Sequence, residues 1–369
     1  MGNNVIAFLE DDTADGGLGM VFRSLANYFS NEYCVYYIST RSNNGRIPDK
    51  IKYIQFAEKG SFEDHTNGIK RSLSGVHPLK KILKQYKPDM IISFGLYSNI
   101  RICLASIGMP YKVLISERGN ASRFRGIYRV IVSILLARAN RIVFQSKAAL
   151  SAYPKLLRKK GIVINNAIFK NDLPDCSNMT WDNRIVSVGR IHPDKNFQLL
   201  LRAYHSVLRE FPQTKLEIFG EEEPGSPGSY LQQLELLADG LNIKDHVFFM
   251  GHSNCIGNDI AGARLFVLPS VLEGMPNALI EAMACGIPCV STDFLPGCAG
   301  EIITDGVDGC ICANNDVESL AEKMKAVLSD SDLSRGMAHQ SIKIRHRLSK
   351  NVIFNMWKQA IDIMFGTIG

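Results

Sequence analysis

The stretch Ser270–Gly286 reads SVLEGMPNALIEAMACG and follows a short apolar run, Leu265–Leu268, that predicts a buried strand. Pro276 suits the first position of a helix, because its missing N–H would have no intrahelical partner there in any case. We expect this helix to run to about Cys285 and to end at Gly286, since glycine is the residue that most often follows a helix. Strand, loop and helix in this order are the repeating unit of a parallel, doubly wound sheet.

Two acidic residues stand eight positions apart in this stretch, Glu273 on the predicted loop and Glu281 on the predicted helix. In a helix, Glu281 shares a face with Asn277, four residues earlier. The N–H groups of the first helical turn, at Asn277 and Ala278, lie between the two acids and carry a partial positive charge. A phosphate cradle flanked by two carboxylates suits a sugar linked to a nucleoside diphosphate. The alternative is a loop acid and a solvated helix acid that stand together by chance.

The whole chain predicts two α/β domains. Its 369 residues exceed what one typical core needs, and both halves alternate apolar strands with helical patterns. We predict a first Rossmann-like domain over residues 1–168, a linker over 169–181 and a second Rossmann-like domain over 182–349. The last segment, 350–369, is amphipathic, so it either crosses back to the first domain or packs on its own domain.

Composition and cysteine usage indicate a protein of the cytosol. The apolar run Val5–Leu9 is too short for a signal peptide, and the run Val130–Ala137 is far below the roughly twenty residues of a membrane span. Nine cysteines scattered through strands and helices indicate reduced thiols rather than a disulfide framework. Their spacings lack a matching histidine pair, so we expect no zinc site.

A glycine-rich loop follows the first predicted strand and contains Gly16, Gly17, Leu18 and Gly19. Glycines permit a close backbone approach, so a diphosphate or a sugar could lie against bare N–H groups. The loop fits the dinucleotide-binding fingerprint poorly, because no further glycine stands at the required position. We predict that it contacts a ligand, although many first turns of this kind carry glycine without one.

The equivalent turn of the second half, residues 189–197, reads GRIHPDKNF and carries two cations. Arg190 offers a planar fork for phosphate oxygens, and Lys195 offers a point charge just before the next helix. A cation at a helix N-terminus opposes the helix dipole. A bound anion therefore accounts for Lys195 better than helix stability does. The alternative is a pair of solvated loop charges.

Positive charge is distributed unevenly, since the chain from Arg118 to Lys160 has eleven Lys or Arg residues and no Asp or Glu. Arg118, Arg123, Arg125 and Arg129 stand beside an apolar run in this segment. The combination is typical of a helix that lies on an anionic membrane surface. Nucleic acid is the other polyanion, but no recognition motif accompanies the charges, so we expect no nucleic-acid partner. A solvated basic face is the remaining alternative.

Three motifs of the chain resemble those of the family-4 (group 1) retaining glycosyltransferases, which include bacterial enzymes that build surface polysaccharides. They are EGMPNALIEAMACG at 273–286, GRIHPDKNF at 189–197 and the N-terminal glycines. The resemblance implies the GT-B fold, in which two Rossmann-like domains face a cleft and the last helix crosses back to the first domain. It also implies a donor site in the second domain and an acceptor site in the first.

The resemblance assigns roles by position. Glu273 would contact the donor sugar and Glu281 the ribose, while Arg190 and Lys195 would neutralise the leaving diphosphate. Since two cations take the place of a metal ion, we predict that neither a metal nor another cofactor is needed.

The rest of the donor site follows from the same motifs. The turn at His252 and Ser253 would border the nucleobase, and a plain loop is the alternative there. The N-terminal glycine loop would close over the donor diphosphate. Besides the four charged residues, the predicted donor site therefore consists of Gly16, Gly17, Leu18, Gly19, His252, Ser253, Gly274, Met275, Asn277 and Ala278.

The acceptor side matches the family less well. The chain has ISERGN at 115–120, similar to the S-E-R-N form of some bacterial polysaccharide transferases. Glu117 could orient or deprotonate the acceptor hydroxyl, and Arg118 could contact a phosphate. An ion pair at a strand end is the alternative.

These expectations combine into a retaining, metal-independent glycosyltransferase. It would move a hexose or an N-acetylhexosamine from a UDP-linked donor to a polyprenyl-diphosphate-linked saccharide, in polysaccharide, O-antigen or other glycan assembly. It would lie in the cytoplasm, peripherally at the inner face of the plasma membrane. The alternatives are a nucleotide-sugar epimerase or phosphorylase on the same fold, and a nucleotide-sugar-binding protein without catalysis. An epimerase would need no acceptor, a phosphorylase would need phosphate or pyridoxal phosphate, and a binding protein would release no nucleotide.

Overall fold

The chain divides into two compact units in this computed structural model. The first unit comprises Met1–Phe169 together with Lys350–Gly369, and the second comprises Lys170–Ser349. Among the predicted site residues, Gly16, Arg123 and Arg125 lie outside the described part of the chain. The structure describes residues 4–10, 17–40, 43, 45, 47–56, 73–118, 126–170, 172–222 and 229–367.

A parallel sheet with helices between its strands forms the first unit. Its strands are β1 (Val5–Glu10), β2 (Cys34–Ser39), β3 (Lys52–Gln55), β4 (Met90–Phe94), β5 (Lys112–Glu117), β6 (Arg141–Phe144) and β7 (Gly161–Val163). They pair in the order β3-β2-β1-β4-β5-β6-β7. Because helices cover the sheet, strands such as β4 are mostly apolar and are buried at every position. The helices described between these strands are α1 (Gly17–Phe29), α2 (Val76–Tyr86), α3 (Leu96–Ala105), α4 (Gly126–Leu136), α5 (Lys147–Ser151) and α6 (Lys155–Arg158).

The second unit has the same design and its own hydrophobic core. Its strands are β8 (Arg184–Val188), β9 (Lys215–Phe219), β10 (Val247–Gly251), β11 (Leu265–Leu268), β12 (Cys289–Thr292) and β13 (Cys310–Cys312). They pair in the order β10-β9-β8-β11-β12-β13. Its helices are α7 (Phe197–Leu208), α8 (Tyr230–Gly240), α9 (Ile256–Asp259), α10 (Asn277–Ala284), α11 (Ala299–Ile302), α12 (Val317–Ser329), α13 (Ser331–Ser341) and α14 (Ile344–Arg347). Both sheets are parallel and doubly wound, which confirms the predicted fold class.

The last helix, α15 (Lys350–Phe365), packs on the first unit. The ring of Trp357 is almost fully buried and stacks on Phe94 of β4, with ring centroids 5.3 Å apart. Phe354 contacts Tyr28 of α1, with centroids 4.8 Å apart. The amphipathic segment therefore buries its apolar face in the first unit, and packing on its own domain is excluded.

Two helix starts differ by a few residues from the predicted ones. Helix α1 begins at Gly17, so Gly17, Leu18 and Gly19, which we predicted to be part of a loop, form its first turn. Helix α10 begins at Asn277, and Pro276 is the residue before it. Shifts of this size are usual, because propensity alone does not fix where the first intrahelical hydrogen bond forms.

The described residues of the predicted linker, 169–181, are packed rather than extended. Leu173 and Cys176 are buried, and the N–H of Cys176 donates to the carbonyl of Cys285 over 2.8 Å. Polar residues and Pro174 suggested a linker, but these two apolar side chains attach the segment to the second unit. The boundary between the units lies at its start, between Phe169 and Lys170.

Candidate functional site

The carboxyl ends of β8 and β11 meet where the strand order of the second unit reverses. In an open parallel sheet, ligands bind at the carboxyl ends of the strands at such a switch point. Two loops lie there, residues 189–196 after β8 and residues 269–276 after β11. The N–H of Val271 donates to the carbonyl of Asp194 over 2.9 Å, which joins the two loops directly. The two motifs of the second half thus share one edge of the sheet.

Glu273 lies at this edge and is buried, with only 8% of its surface exposed. Its Oε1 atom accepts a hydrogen bond from Lys195 Nζ over 2.5 Å and another from Ser270 Oγ over 2.7 Å. No hydrogen bond to Oε2 is found among the described residues. One oxygen is therefore fixed by the protein, and the other is available to a ligand.

Ser270 is itself held in place from behind. It is fully buried, and the hydroxyl of Thr292, at the end of β12, donates to its carbonyl over 2.6 Å. The two hydrogen bonds, from Thr292 to Ser270 and from Ser270 to Glu273, thus set the direction of the carboxylate. Sequence reasoning assigned a role to neither hydroxyl residue, since a serine three positions before an acid carries no signal until the course of the loop is known.

Lys195 closes a short 3-10 turn, Pro193–Lys195, immediately before α7. We predicted that a bound anion explains this cation, but the structure gives it a protein partner, since its ammonium pairs with Glu273. An ammonium group has three N–H donors, so two remain after this bond. Arg190 lies on the same loop with its side chain exposed. Lys195 is therefore placed next to the fixed carboxylate, and Arg190 stands on the same loop.

Glu281 lies on α10, and its Oε2 accepts a hydrogen bond from Lys170 Nζ over 3.0 Å. This ion pair is partly exposed, with 33% of the lysine and 22% of the glutamate side chain accessible. Lys170, the first residue of the second unit, belongs to none of the motifs, so its pairing with Glu281 could not be predicted.

The loop before α10 holds the remaining motif residues, Gly274 and Met275. The N–H of Asn277 donates to the carbonyl of Met275 over 3.0 Å, so this amide is engaged within the loop. The predicted cradle is corrected accordingly. The backbone N–H of Ala278 belongs to the first turn of α10, where N–H groups have no intrahelical acceptor. It is therefore better placed than the N–H of Asn277 to bind a phosphate.

His252 and Ser253 follow β10, which is separated from β8 by β9. His252 is exposed. The hydroxyl of Ser253 donates to the carboxylate of Asp259 and accepts from the N–H of Cys255 over 3.1 Å. This hydroxyl therefore stabilises the start of α9. A ligand at this turn would contact the backbone and His252 instead.

In the first unit, Glu117 is buried at the end of β5. Its two oxygens accept hydrogen bonds from the side-chain amide of Asn99 over 2.5 Å and from the hydroxyl of Tyr153 over 2.9 Å. Burial raises the pKa of the Glu117 carboxyl above its ordinary value, while the two donors act in the opposite direction. Both oxygens are thus engaged inside the first unit, so the carboxylate is not paired with Arg118, the alternative raised by the sequence.

Arg118 is half-buried and packs on aromatic rings of the first unit rather than standing on a basic surface. Its guanidinium carbon is 4.5 Å from the ring centre of Phe94 and 5.9 Å from that of Trp357, and it donates to Ser116 Oγ over 2.8 Å. Burial lowers the pKa of Arg118 to about 9. Sequence reasoning placed it on the membrane-facing segment because it could not foresee that α15 brings an aromatic ring to this position.

Arg129 differs from Arg118, because it lies on the exposed side of α4 and donates from Nη2 to the carbonyl of Ala152 over 2.8 Å. In the described ranges, no three His, Cys, Asp or Glu side chains are placed to hold a metal ion. None of the helices described is long and apolar enough to cross a membrane.

The known proteins that this chain resembles include several glycosyltransferases. Residues 177–351 match the family model of the glycosyl transferases group 1. Over 340 residues, the chain is 24% identical to a Campylobacter jejuni enzyme, GalNAc-alpha-(1->4)-GalNAc-alpha-(1->3)-diNAcBac-PP-undecaprenol alpha-1,4-N-acetyl-D-galactosaminyltransferase, with 91% of this chain and 92% of the relative covered.

Two solved structures resemble the whole chain in fold. One is a glycosyltransferase from Rickettsia africae, with a TM-score of 0.81 and 16% identity over 99% of each chain. The other is Anabaena HepE in complex with UDP and glucose, with a TM-score of 0.80 and 18% identity over 97% of this chain and 99% of that one. The family model spans nearly the whole second unit, and the structural likeness extends to both units. Residues 177–351 therefore match the group 1 glycosyltransferases, and the whole chain has the GT-B fold.

Proposed function

We propose that this glycosyltransferase moves a sugar from a UDP-linked donor to a lipid-linked saccharide with retention of anomeric configuration. The observation that carries the proposal is the carboxylate of Glu273, which Lys195 and Ser270 hold at the switch point of the second sheet. Its free oxygen suits a hydroxyl of the donor sugar. The ammonium beside it suits the diphosphate of the same ligand, so one small cluster can meet both parts of a nucleotide-sugar.

Loss of the diphosphate is the step at which this cluster helps most. Negative charge grows on the leaving oxygens, and preorganised cations and dipoles at that place stabilise the transition state. Lys195 has two N–H donors beyond the one used by Glu273, and Arg190 brings a planar fork from the same loop. The amide of Ala278 adds the dipole of α10. Because side chains supply this positive charge, we propose that neither a metal ion nor another cofactor is needed.

Glu281 is proposed to bind the ribose of the donor. Its Oε2 is engaged by Lys170, and its Oε1 can accept from a ribose hydroxyl. The lysine then acts as a restraint on the carboxylate rather than as a ligand for the nucleotide.

The acceptor hydroxyl is proposed to attack from the face that the diphosphate leaves, and the departing phosphate accepts its proton. We propose no covalent nucleophile. Glu117 fits an orienting role in the first unit better than that of a general base, because both of its oxygens already accept hydrogen bonds from protein donors.

The class of acceptor and donor is supported by the relatives. The Campylobacter jejuni relative, similar over nearly its whole length, transfers an N-acetylgalactosaminyl group to an undecaprenol-diphosphate saccharide. The Anabaena structure with the same fold holds UDP and glucose. For this chain we therefore propose a hexose or N-acetylhexosamine donor and a polyprenyl-diphosphate-linked saccharide acceptor. We also propose that the reaction takes place at the cytoplasmic face of the plasma membrane, in polysaccharide or glycan assembly.

A donor screen tests the proposal. The protein is incubated with UDP-glucose, UDP-galactose and their N-acetylamino counterparts, with and without a polyprenyl-diphosphate saccharide, and UDP release is measured. We expect acceptor-dependent UDP release, a product of the same anomeric configuration by NMR, and loss of both in Glu273→Ala. Glu235→Ala, which removes an exposed acid of α8, is the matched control. Epimerised donor without transfer, dependence on phosphate, or binding without any UDP release would each refute the proposal.

A further inference from the structure

Helix α4 is apolar on both of its sides. Its inward side chains, such as Val132 and Leu136, are buried in the first unit. Its outward side also carries large apolar residues, each between 40% and 67% exposed. These are Ile127, Tyr128, Val130, Ile131 and Ile134. A soluble monomer rarely leaves so many neighbouring apolar side chains in water, so this side of the helix needs a partner.

Helix α6 carries a further exposed apolar side chain. It packs against α4, and Leu156 on it is 51% exposed while the neighbouring Leu157 is fully buried. Arg129 of α4 donates to the carbonyl of Ala152, in the turn that leads into α6. We name the set of Leu156 and the five outward residues of α4 the outer face.

Only positive charge surrounds the outer face along the chain. Lys155, Arg158 and Lys159 are exposed beside Leu156, and Arg138 is exposed just beyond the end of α4. The segment from residue 118 to residue 160 contains no acidic residue at all. A partner of this surface must therefore be apolar where it meets the helices and negatively charged around them. A bilayer with anionic headgroups has both properties, because acyl chains lie directly beneath the phosphates.

We propose that the outer face inserts at the boundary between the headgroups and acyl chains of an anionic membrane. The cations around it contact the headgroups, and Tyr128 keeps its hydroxyl at the level of the interface. This surface differs from the one expected from sequence, since Arg118, Val132 and Leu136 are turned inward. That the membrane also carries the acceptor rests on the proposed function, whereas the membrane contact itself does not.

Vesicle binding tests the outer face without any substrate. The whole protein is mixed with vesicles of phosphatidylglycerol and phosphatidylethanolamine, or of phosphatidylcholine alone, and the bound fraction is measured by flotation. We expect binding to the anionic vesicles, at least tenfold weaker for the triple variant Ile127→Ser, Ile131→Ser, Ile134→Ser. Leu236→Ser, which removes a 72% exposed apolar side chain of α8, is the matched control and should bind as the wild type does.

Charge reversal gives a second variant that places no polar group in an apolar environment. Each cation near an anionic leaflet contributes about a fivefold gain in binding, so Arg158→Glu with Lys159→Glu should weaken binding to anionic vesicles at least tenfold. Binding to phosphatidylcholine should not change. Circular dichroism and Tm establish that each variant is folded.

Three results overturn the inference: no binding of the wild type to anionic vesicles, equal binding of the wild type and both variants, or an outer face that proves to join two protein molecules. In the last case the triple variant would change the molecular mass in solution and leave vesicle binding intact. Donor cleavage by the wild type and by Glu273→Ala, measured without vesicles, decides the proposed function separately.

Discussion

Replacing Ser270 by alanine should reduce transfer without disturbing the loop that carries it. The substitution removes only the hydroxyl that donates to Glu273 over 2.7 Å. The bond from Thr292 is retained, because it ends on the backbone carbonyl of residue 270. Lys195 would then be the single restraint on Oε1, and the free oxygen would lose its fixed direction towards the donor sugar.

The size of the effect follows from the kind of bond. A hydrogen bond to a charged group contributes about 1.5–3 kcal/mol. If the whole of this were lost in the transition state, kcat/KM would fall roughly 10- to 150-fold, at about 1.4 kcal/mol for each factor of ten. We expect the lower half of this range, about 10- to 30-fold, because Lys195 still holds one oxygen. The fall should lie mainly in kcat, since the sugar rather than the nucleotide loses a contact.

Ser187 provides the matched control. It is fully buried on β8, and its hydroxyl donates to the carbonyl of Val267 on β11 over 2.6 Å. Ser187→Ala therefore removes a similar bond at the same sheet without touching Glu273. It should lower the free energy of unfolding by about 1 kcal/mol and leave kcat/KM within about twofold.

Two measurements decide the matter, UDP release with saturating acceptor and calorimetric binding of UDP. Ser270→Ala should bind UDP as the wild type does and turn over more slowly. The reasoning is refuted if its kcat/KM stays within twofold of the wild type, or if Ser187→Ala loses as much activity.

Four further predictions follow. Lys170→Ala removes a partly exposed ion pair, so donor KM should rise up to about fivefold with kcat unchanged; a large fall in kcat contradicts this. With EDTA, the rate of UDP release should stay within twofold of the rate without it. A loss of activity that a divalent cation restores would reject metal independence. Glu117 has a raised pKa, so its contribution to stability is present below its unfolded pKa of about 4.3 and lost as pH rises through the folded pKa. The Tm of the wild type relative to Glu117→Gln should therefore fall from pH 4 to pH 7, and a rise refutes this. Trp357→Ala should lower the free energy of unfolding of the first unit by about 3–5 kcal/mol. Calorimetry should show this as a lower Tm for one of two transitions, and two unchanged transitions contradict it.

Much of the fold could be predicted from sequence because its units are local. A run such as Leu265–Leu268, a turn and a helix ending at Gly286 are each encoded within a few residues. The pairing of the two loops was harder to foresee. Lys195 and Glu273 are 78 residues apart, and they meet because β8 lies next to β11 in the sheet. Sequence motifs identified both residues, but the strand order that joins them is a property of the whole unit.

The errors on the basic segment have a similar cause. Its charges are evident in the sequence, but burial depends on residues far along the chain. Arg118 turns inward because Trp357, more than two hundred positions later, completes an aromatic site for it with Phe94. A period of 3.6 residues identifies an apolar face when a helix has one polar side. It does not show which face of α4 is inside, because this helix is apolar on both.

The return of α15 to the first unit has a consequence for the order in which the chain can fold. The second unit is one continuous piece, whereas the first needs residues on either side of it. During synthesis from the N-terminus, the surface around Phe94 and Tyr28 stays uncovered until α15 has been made. The second unit can thus fold before α15 completes the first unit. In that interval, chaperones could bind the incomplete first unit. A fragment that stops before Lys350 would leave this apolar surface exposed. Residues 170–349, in contrast, are the natural choice for expression as a separate domain.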